Sequence, residues 1–419
     1  MTWCLVDIEN FYVSAERLFD PSLHRVPTVV ASNGDHCAIA RSAEAKALHI
    51  SMGEPLFKIK DRIKRHGIQI RSSNYELYGD LNRRFNLLLA DYSPVVEIYS
   101  IDESFLEVPA LAPNLGNVAY AHEIRKAILS TLGLPTRIGL GPTRTLSKVA
   151  NALAKASEKI WAGVVDLHDE DLRRRLFSVW PIGEVWGIGR AMEHKLGMLG
   201  IKTTADLAAL RPAVARDVGT IVLERLVLEL NGIPCSDFQP DPPSTKATAV
   251  TRQFGEPVKD LESLRQAMAR RAYRASEKIR SRGLLANRII TFAQSSSRAQ
   301  KPISARRQAQ MSPATNDPRE IIRIACQMAE SMYQSGIIYT KCGILLEDLI
   351  PEGCAQGDLF GENPRNHQLI GAIDAINARF GRDTLTFGSL GLGAKPFDTK
   401  RKLKSPSWTT NINEIPIAR

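Results

Sequence analysis

Residues 99 to 104 read Tyr-Ser-Ile-Asp-Glu-Ser, with two adjacent carboxylates, Asp102 and Glu103, set between the apolar runs VVEIY and FLEV. Along an ideal strand neighbouring side chains point to opposite faces, and an adjacent Asp-Glu pair is most often a solvated turn. At the tip of a β-hairpin that alternation lapses, and both acids can lean towards one point. A third acid, Asp7, ends the apolar run TWCLVD (2–7), at a strand end where the functional residues of open sheets gather. Three clustered carboxylates repel one another unless a cation lies between them, so they are costly as mere structure. Hard oxygen ligands with room for water suit a pair of divalent cations. Two such ions about 3.5–4 Å apart can activate an attacking oxygen and stabilise a leaving one, the geometry of nucleotidyl transfer. The same acids could also activate water in a metal-dependent nuclease.

The elements that must hold these residues can be read from the apolar spacing. TWCLVD and VPTVVAS (26–32) have the pattern of buried strands, and VVEIYSIDESFLEV that of two extended stretches around a polar centre. AIARSAEAKAL (38–48) is rich in helix formers, and NYELYGDLNRRFNLLLADY (74–92) carries Leu77, Leu81, Phe85 and Leu88 at helical spacing. AYAHEIRKAILSTLG (119–133) reads as an amphipathic helix, and TRIGLGPTRTLSKVANALAK as strand, Gly-Pro turn and helix. This alternation over the first 165 residues predicts an α+β or α/β domain. A helical stretch from about 170 to 232 follows, then a Pro-rich run, GIPCSDFQPDPPSTK (232–246), with the composition of a linker. Beyond it, LRQAMARRAYRASEKIRSRG (264–283) predicts a helix burying Leu264, Met268, Ala272, Ala275 and Ile279 and presenting cations elsewhere. NRIITFAQ, KCGILLEDL and REIIRIACQMAESMYQSG complete a second α+β unit, and the ending KRKLKSPSWTTNINEIPIAR reads as a mobile tail.

A chain of 419 residues with 44% apolar content is long enough for about three domains. No run predicts a membrane span, which leads to the expectation of a soluble, cytoplasmic protein. The six cysteines form no Cys-x-x-Cys pair and read as free thiols. The net charge of +10 is concentrated: residues 245 to 310 hold 15 Lys and Arg against 4 Asp and Glu. Such a basic domain beside a near-neutral remainder points to a polyanionic partner, most plausibly nucleic acid.

DIENFY (7–12), AEAKAL (43–48), SIDES (100–104) and SKVANALAK (147–155) stand in this order along the chain, followed by WGIGR (186–190) and the basic region. In that order they resemble the Y-family translesion DNA polymerases, closest to the UmuC-type branch. The resemblance implies an α+β multidomain right hand: a palm (1–10 and 78–166), fingers (11–77), a thumb with a helix-hairpin-helix (167–232), a linker (233–245), a little finger (246–350) and a C-terminal tail (351–419).

It also implies roles for residues. Asp7 and Asp102 would bridge two Mg2+ ions, Glu103 would complete the site nearest the primer 3′-hydroxyl, and the Ile8 carbonyl would ligate the nucleotide-side metal. Tyr12 matches the steric gate that leaves no space for a ribose 2′-hydroxyl, and Lys155 a contact to the triphosphate. Where many members have Tyr-Glu-Ala-Arg, this chain has Ala43-Glu44-Ala45-Lys46, so a phenol and a bidentate guanidinium are missing. Lys46 can act as a point charge, and Arg41 could supply the fork. Gly187 and Gly189 would turn backbone N–H groups to a DNA phosphate at a helix N-terminus. Arg252, Arg270, Arg274 and Arg288 are candidates for contact with the duplex backbone. QGDLF (356–360) resembles a sliding-clamp peptide, with Gln356, Leu359 and Phe360 as its anchors.

These features predict template-directed nucleotidyl transfer on primer-template DNA from deoxynucleoside triphosphates, tolerant of damaged templates, within the SOS mutagenesis and DNA repair response. Small residues around Ala38, Ala40 and Ser42 would exclude little over the nascent base pair. The resemblance further implies the clamp, a processed UmuD-type accessory dimer and a RecA filament as partners. The rival reading is a DNA-binding scaffold that keeps the fold without the chemistry.

Overall fold

The computed structural model describes residues 2–109, 116–240, 245–296, 299, 301–354, 367–393, 395–398 and 401–415. The chain divides into two compact units, one of residues 1–242 with 401–419, the other of residues 243–400. No helix among the described residues is long and apolar enough to cross a membrane.

The strands described in the first unit are β1 (Trp3–Ile8), β2 (Thr28–Ala31), β3 (Ala38–Arg41), β4 (Gln69–Ser72), β5 (Val96–Ile98), β6 (Glu103–Glu107), β7 (Thr136–Gly141) and β8 (Val164–Asp166). Five of them form one sheet in the order β5-β6-β1-β7-β8. β1 is buried along its whole length because β6 and β7 flank it, both antiparallel, and both of its faces are covered. Cys4, Val6 and Ile8 pack on Leu77, Leu81 and Phe85 of the helix Tyr75–Ala90 and on Ile124 and Ile128 of the helix Asn117–Leu132. Each large apolar side chain buried there contributes about 1.5–3 kcal/mol. Trp3 and Leu5 point the other way, against Phe105, and alternation puts Asp7 on their face.

The helix Arg144–Ala156 runs close over β7, which glycine makes possible. A Cβ on Gly139 would lie 2.2 Å from the Ser147 carbonyl oxygen and 2.3 Å from the Asn151 nitrogen. The same helix buries Leu146, Val149 and Leu153 among Leu196, Leu207, Leu223 and Leu226 of the following helical segment.

A small sheet, ordered β3-β2-β4, stands apart. Its composition misled the sequence reading: Ala38–Arg41 of the segment with helix-former composition is a strand paired with β2, and the helix is confined to Ala43–Ala47, capped by Ser42. Strand pairing outweighs intrinsic propensity over so few residues.

In the second unit β9 (Ala247–Val258), β10 (Leu284–Ser295), β11 (Ser304–Thr315) and β12 (Tyr339–Pro351) form an antiparallel sheet in the order β11-β10-β12-β9. The helices Leu261–Arg280 and Pro318–Met332 cover one face, burying Leu264, Met268, Ala272, Ala275 and Ile279 as the spacing predicted. The helix His367–Phe380 is fastened to the helix Leu261–Arg280 by Asp374 with Arg280 and by Asn377 with Tyr273.

The expected mobile tail is a correction. Among its described residues, 401–415 return to the first unit, where Leu403 bonds Ser72 and Trp408 stacks on Phe19. Its polar composition concealed a chain held by backbone pairing and one half-buried aromatic.

Candidate active site

Asp7 and Glu103 are direct cross-strand partners on β1 and β6, so their side chains share a face. Asp102 sits one residue earlier, in the bend before β6; its carbonyl accepts from Ile8 N at 2.8 Å, and its carboxylate accepts from Ser100 Oγ at 2.5 Å. The bend thus brings the adjacent acids to the end of β1. The packed helix supplies counter-charges, with Lys155 Nζ 2.7 Å from Asp7 and Lys148 Nζ 2.7 Å from Glu103.

The electrostatics are those of a site short of positive charge. Burial pushes the Asp7 carboxyl up to about 8, with Glu103 adding to the rise and Lys155 opposing it. Burial also works to raise Glu103, but the hydrogen bond with Asp7 and the charge of Lys148 outweigh it and hold it below the usual range. Two facing carboxylates in a dry place share a proton unless a cation relieves them. Oxygen donors of this kind fit a hard divalent ion. No group of three or more His, Cys, Asp or Glu side chains among the described residues is gathered tightly enough to hold an ion as it stands; Asp102 is turned to Ser100 instead of completing a shell.

A cleft of about 390 Å³ opens over the acids. Asp7, Ile8, Tyr12, Arg41, Lys46, Asp102 and Lys155 all line it, so residues far apart in sequence meet at one cavity. Glu103 lies beside it with Lys148. Lys46 donates to Asn10 Oδ1 at 2.6 Å, and Arg41 donates to the Ile50 carbonyl at 2.7 Å while its Nε has no partner. Burial pushes the Lys46 ammonium down, and repulsion from Arg41 and Lys155 adds to it. Three crowded cations are what a polyanionic ligand would relieve.

Tyr12 stands at the start of the helix Phe11–Phe19 and is half-buried, whereas its neighbour Phe11 belongs to the core. The ring of Tyr12 stacks on Tyr78 with centroids 4.4 Å apart and meets Tyr75 edge-on at 5.9 Å. Burial, with Tyr75 nearby, lifts its hydroxyl to about 12, so the phenol is neutral. The sequence reading missed Tyr78 and Lys148; the lysine lies about two helical turns before Lys155, a spacing that would have offered it to the same acids.

Gly187 has φ 94°, a conformation that favours glycine, and Gly189 caps the helix Arg190–Met198. Three of the four candidate DNA arginines are engaged within the second unit in ways the sequence did not reveal. Arg270 holds Asp398 at 2.7 Å and the carbonyls of Leu390 and Gly393, and Arg274 pairs with Glu277. Arg288 lies 3.0 Å from Glu347. Arg252 shares the alternating face of Val250 and Phe254, which packs on the helices. The opposite face of the sheet carries Arg288, Arg306, Gln308, Gln310 and Lys341 by the same alternation. Gln356, Leu359 and Phe360 lie outside the described residues.

The family model of the impB/mucB/samB family matches residues 6–152, and that of its C-terminal domain matches residues 245–359. A domain of unknown function matches residues 367–418. The chain is 39% identical to Protein UmuC of Salmonella typhimurium strain LT2, with 99% of each chain covered, and 37% identical to Protein ImpB of Salmonella typhimurium, with 100% of this chain and 99% of that one covered. DNA polymerase IV 2 of Bacillus subtilis strain 168 is 24% identical, with 95% of this chain and 97% of that one covered. Among solved structures, a Y-family DNA polymerase chimera of Dbh and Dpo4 superposes with TM-score 0.70 at 18% identity, covering 84% of this chain and 100% of its own.

Proposed function

The chain belongs to the impB/mucB/samB family, with the Y-family polymerase fold, and from that premise we propose that it is a DNA-directed DNA polymerase that copies past damaged template bases in SOS mutagenesis. The observation that carries the chemistry is the meeting of Asp7, Asp102 and Lys155 with Tyr12, Arg41 and Lys46 around one cleft, with Glu103 directly across the sheet from Asp7.

Asp7, the Ile8 carbonyl, Asp102 and Glu103 would hold two divalent ions, Mg2+ in our reading. Bound there, such ions supply charge for the attacking 3′-oxygen and the departing pyrophosphate. Arg41, Lys46 and Lys155 bind the triphosphate by charge and direct hydrogen bonds, and Lys155 exchanges its contact with Asp7 for one with phosphate. Tyr12 presents its ring beneath the sugar and excludes a 2′-hydroxyl by occupying its space.

Domain roles follow the same assignment: a palm of 1–10 and 78–166, fingers of 11–77, a thumb of 167–232 that grips a phosphate at Gly187 and Gly189, and a little finger of 246–350. For the little finger we assign duplex contact to the sheet face bearing Arg306 and Lys341 in place of Arg270 and Arg274; Arg288 lies on that face but pairs with Glu347 and Asp348. A sliding clamp held through Gln356, Leu359 and Phe360, a processed UmuD-type dimer, a RecA filament and a cytoplasmic setting complete the proposal.

Primer extension opposite an abasic site, with Mg2+ and candidate accessory proteins, tests it. Asp102→Ala and Glu103→Ala should each lower kcat by roughly 100-fold or more, since each removes charge that acts on the reacting atoms. Activity that survives both changes, or release of nucleoside monophosphate in place of pyrophosphate, would overturn the assignment.

A further inference from the structure

Tyr12 is not braced by the core alone. The ring on which it stacks, Tyr78, donates its hydroxyl to Glu16 Oε1 at 2.8 Å, and Glu16 is only 1% exposed. The same oxygen accepts from Ser405 Oγ at 3.0 Å, a residue 389 positions away. Ser405 is itself fixed, because Asn74 Nδ2 donates to its Oγ at 2.9 Å, to its carbonyl at 3.1 Å and to the Pro406 carbonyl at 3.1 Å.

Asn74 and Glu16 sit on the two helices that meet at the Tyr12–Tyr78 stack. Asn74 is the N-cap of the helix Tyr75–Ala90, which bears Tyr75 and Tyr78. Glu16 belongs to the helix Phe11–Phe19, which begins beside Tyr12 and ends at Phe19, where Trp408 stacks with centroids 5.9 Å apart and planes within 10°. Leu403 and Ser72 exchange two hydrogen bonds, Ser72 N to the Leu403 carbonyl at 2.9 Å and Leu403 N to Ser72 Oγ at 3.0 Å, and Lys404 Nζ lies 3.3 Å from Glu76. Residues 403–408 thus tie the C-terminal part of the helix Phe11–Phe19 to the N-terminal end of the helix Tyr75–Ala90, the end that carries Tyr78.

We propose that residues 403–408 form a back wall behind the Tyr12–Tyr78 stack, with Ser405 and the buried Glu16 acting as positioning residues that hold Tyr78 under Tyr12 and so set the discrimination between deoxyribose and ribose. The reasoning is geometric. A ring that excludes one hydroxyl must be held to a fraction of an ångström, and stacking alone lets it slide. A hydrogen bond at the hydroxyl of the supporting ring removes that freedom. The inference rests on the reading of Tyr12 as the steric gate, and it gives the segment that matches a domain of unknown function a part in substrate selection.

The test is single-nucleotide extension with the full chain, taking the ratio of kcat/KM for dATP to that for ATP. Where turnover is too slow to follow, the ratio of equilibrium affinities of the protein–primer–template complex for the two nucleotides with Ca2+ replaces it. Ser405→Ala and Tyr78→Phe should each lower the ratio roughly 3- to 10-fold, the range expected for one positioning hydrogen bond. The effect should lie in KM for ATP, the double variant should fall no further than either single one, and Ser405→Thr, which keeps the hydroxyl, should restore the ratio. A general loss of folding would lower both nucleotides together and leave the ratio alone. Tyr12→Ala separates the two layers. If it collapses the ratio while Ser405→Ala and Tyr78→Phe leave it unchanged, the gate stands and the back wall is refuted; if it leaves the ratio intact, the gate reading fails and the back wall falls with it.

Discussion

At the scale of residues, the molecule keeps several ionisable groups in places where burial and partners decide their charge. Glu16 is the clearest outside the acids of the cleft. Burial pushes its carboxyl above the usual glutamate range, and the hydrogen bonds from Tyr78 and Ser405, with the charge of Arg71, only partly offset that. An acid whose folded value lies above its unfolded one binds more protons in the native state, so stability falls as pH rises through that interval. Glu16→Gln removes the titration while keeping an acceptor. Plots of melting temperature against pH for the two proteins should therefore run closest in acid and separate as pH climbs past the ordinary glutamate range, with the variant gaining on the parent. Parallel curves would show that Glu16 is not titrating in the fold. The three acids proposed to hold the metal ions, by contrast, are legible in the sequence itself: a turn with two carboxylates and a strand ending in a third are local features. Their register is not. That Asp7 faces Glu103, and that Lys148 and Lys155 reach down to them, depends on which strands pair and on which helix lies above, and no spacing within one segment contains that information.

At the scale of elements, the placement of Lys148 and Lys155 depends on how near the helix Arg144–Ala156 can come to β7. Gly139 permits the approach, since any side chain there meets backbone that has no room to move. Gly139→Ala should lift the helix and cost about 1–3 kcal/mol, the usual penalty of overpacking, seen as a lower urea midpoint with an unchanged slope. Gly189 offers the internal comparison. A Cβ there meets nothing within 4 Å and its φ is −90°, so Gly189→Ala should leave stability within about 0.5 kcal/mol while weakening any phosphate contact at that turn. Equal effects at the two sites would refute the packing account. The long amphipathic helices are visible in the sequence because their apolar spacing is a local signal. Several strands are not: Ala38–Arg41 has the composition of a helix, and β9 and β11 are polar on the face away from the helices, so only their pairing reveals them.

At the scale of the whole chain, the excess of positive charge in residues 245 to 310 predicts a polyanionic partner, and the structure changes which of those charges are available. Arg270 is committed to Asp398, 128 residues further on, and Arg274 to Glu277 on its own helix, contacts that a count of charges cannot anticipate. Arg306 is exposed on β11, and Lys341 lies on β12 with its ammonium 5.6 Å from the Phe292 ring centroid, both on the sheet face opposite the helices Leu261–Arg280 and Pro318–Met332. If that face meets duplex, each of these cations displaces about one condensed counterion on binding, and the plot of log affinity against log salt should become shallower by about 1 when either is replaced by alanine. The double variant should lose about 2, because the two side chains contact separate phosphates. Arg270→Ala should leave the slope where it is, since that guanidinium is already neutralised inside the unit, although the lost ion pair lowers the melting temperature. Fluorescence anisotropy with a primer-template duplex between about 50 and 200 mM salt distinguishes these outcomes. A slope that responds to Arg270 and ignores Arg306 and Lys341 would move the duplex to the helical side of the unit and reverse the assignment of its two faces.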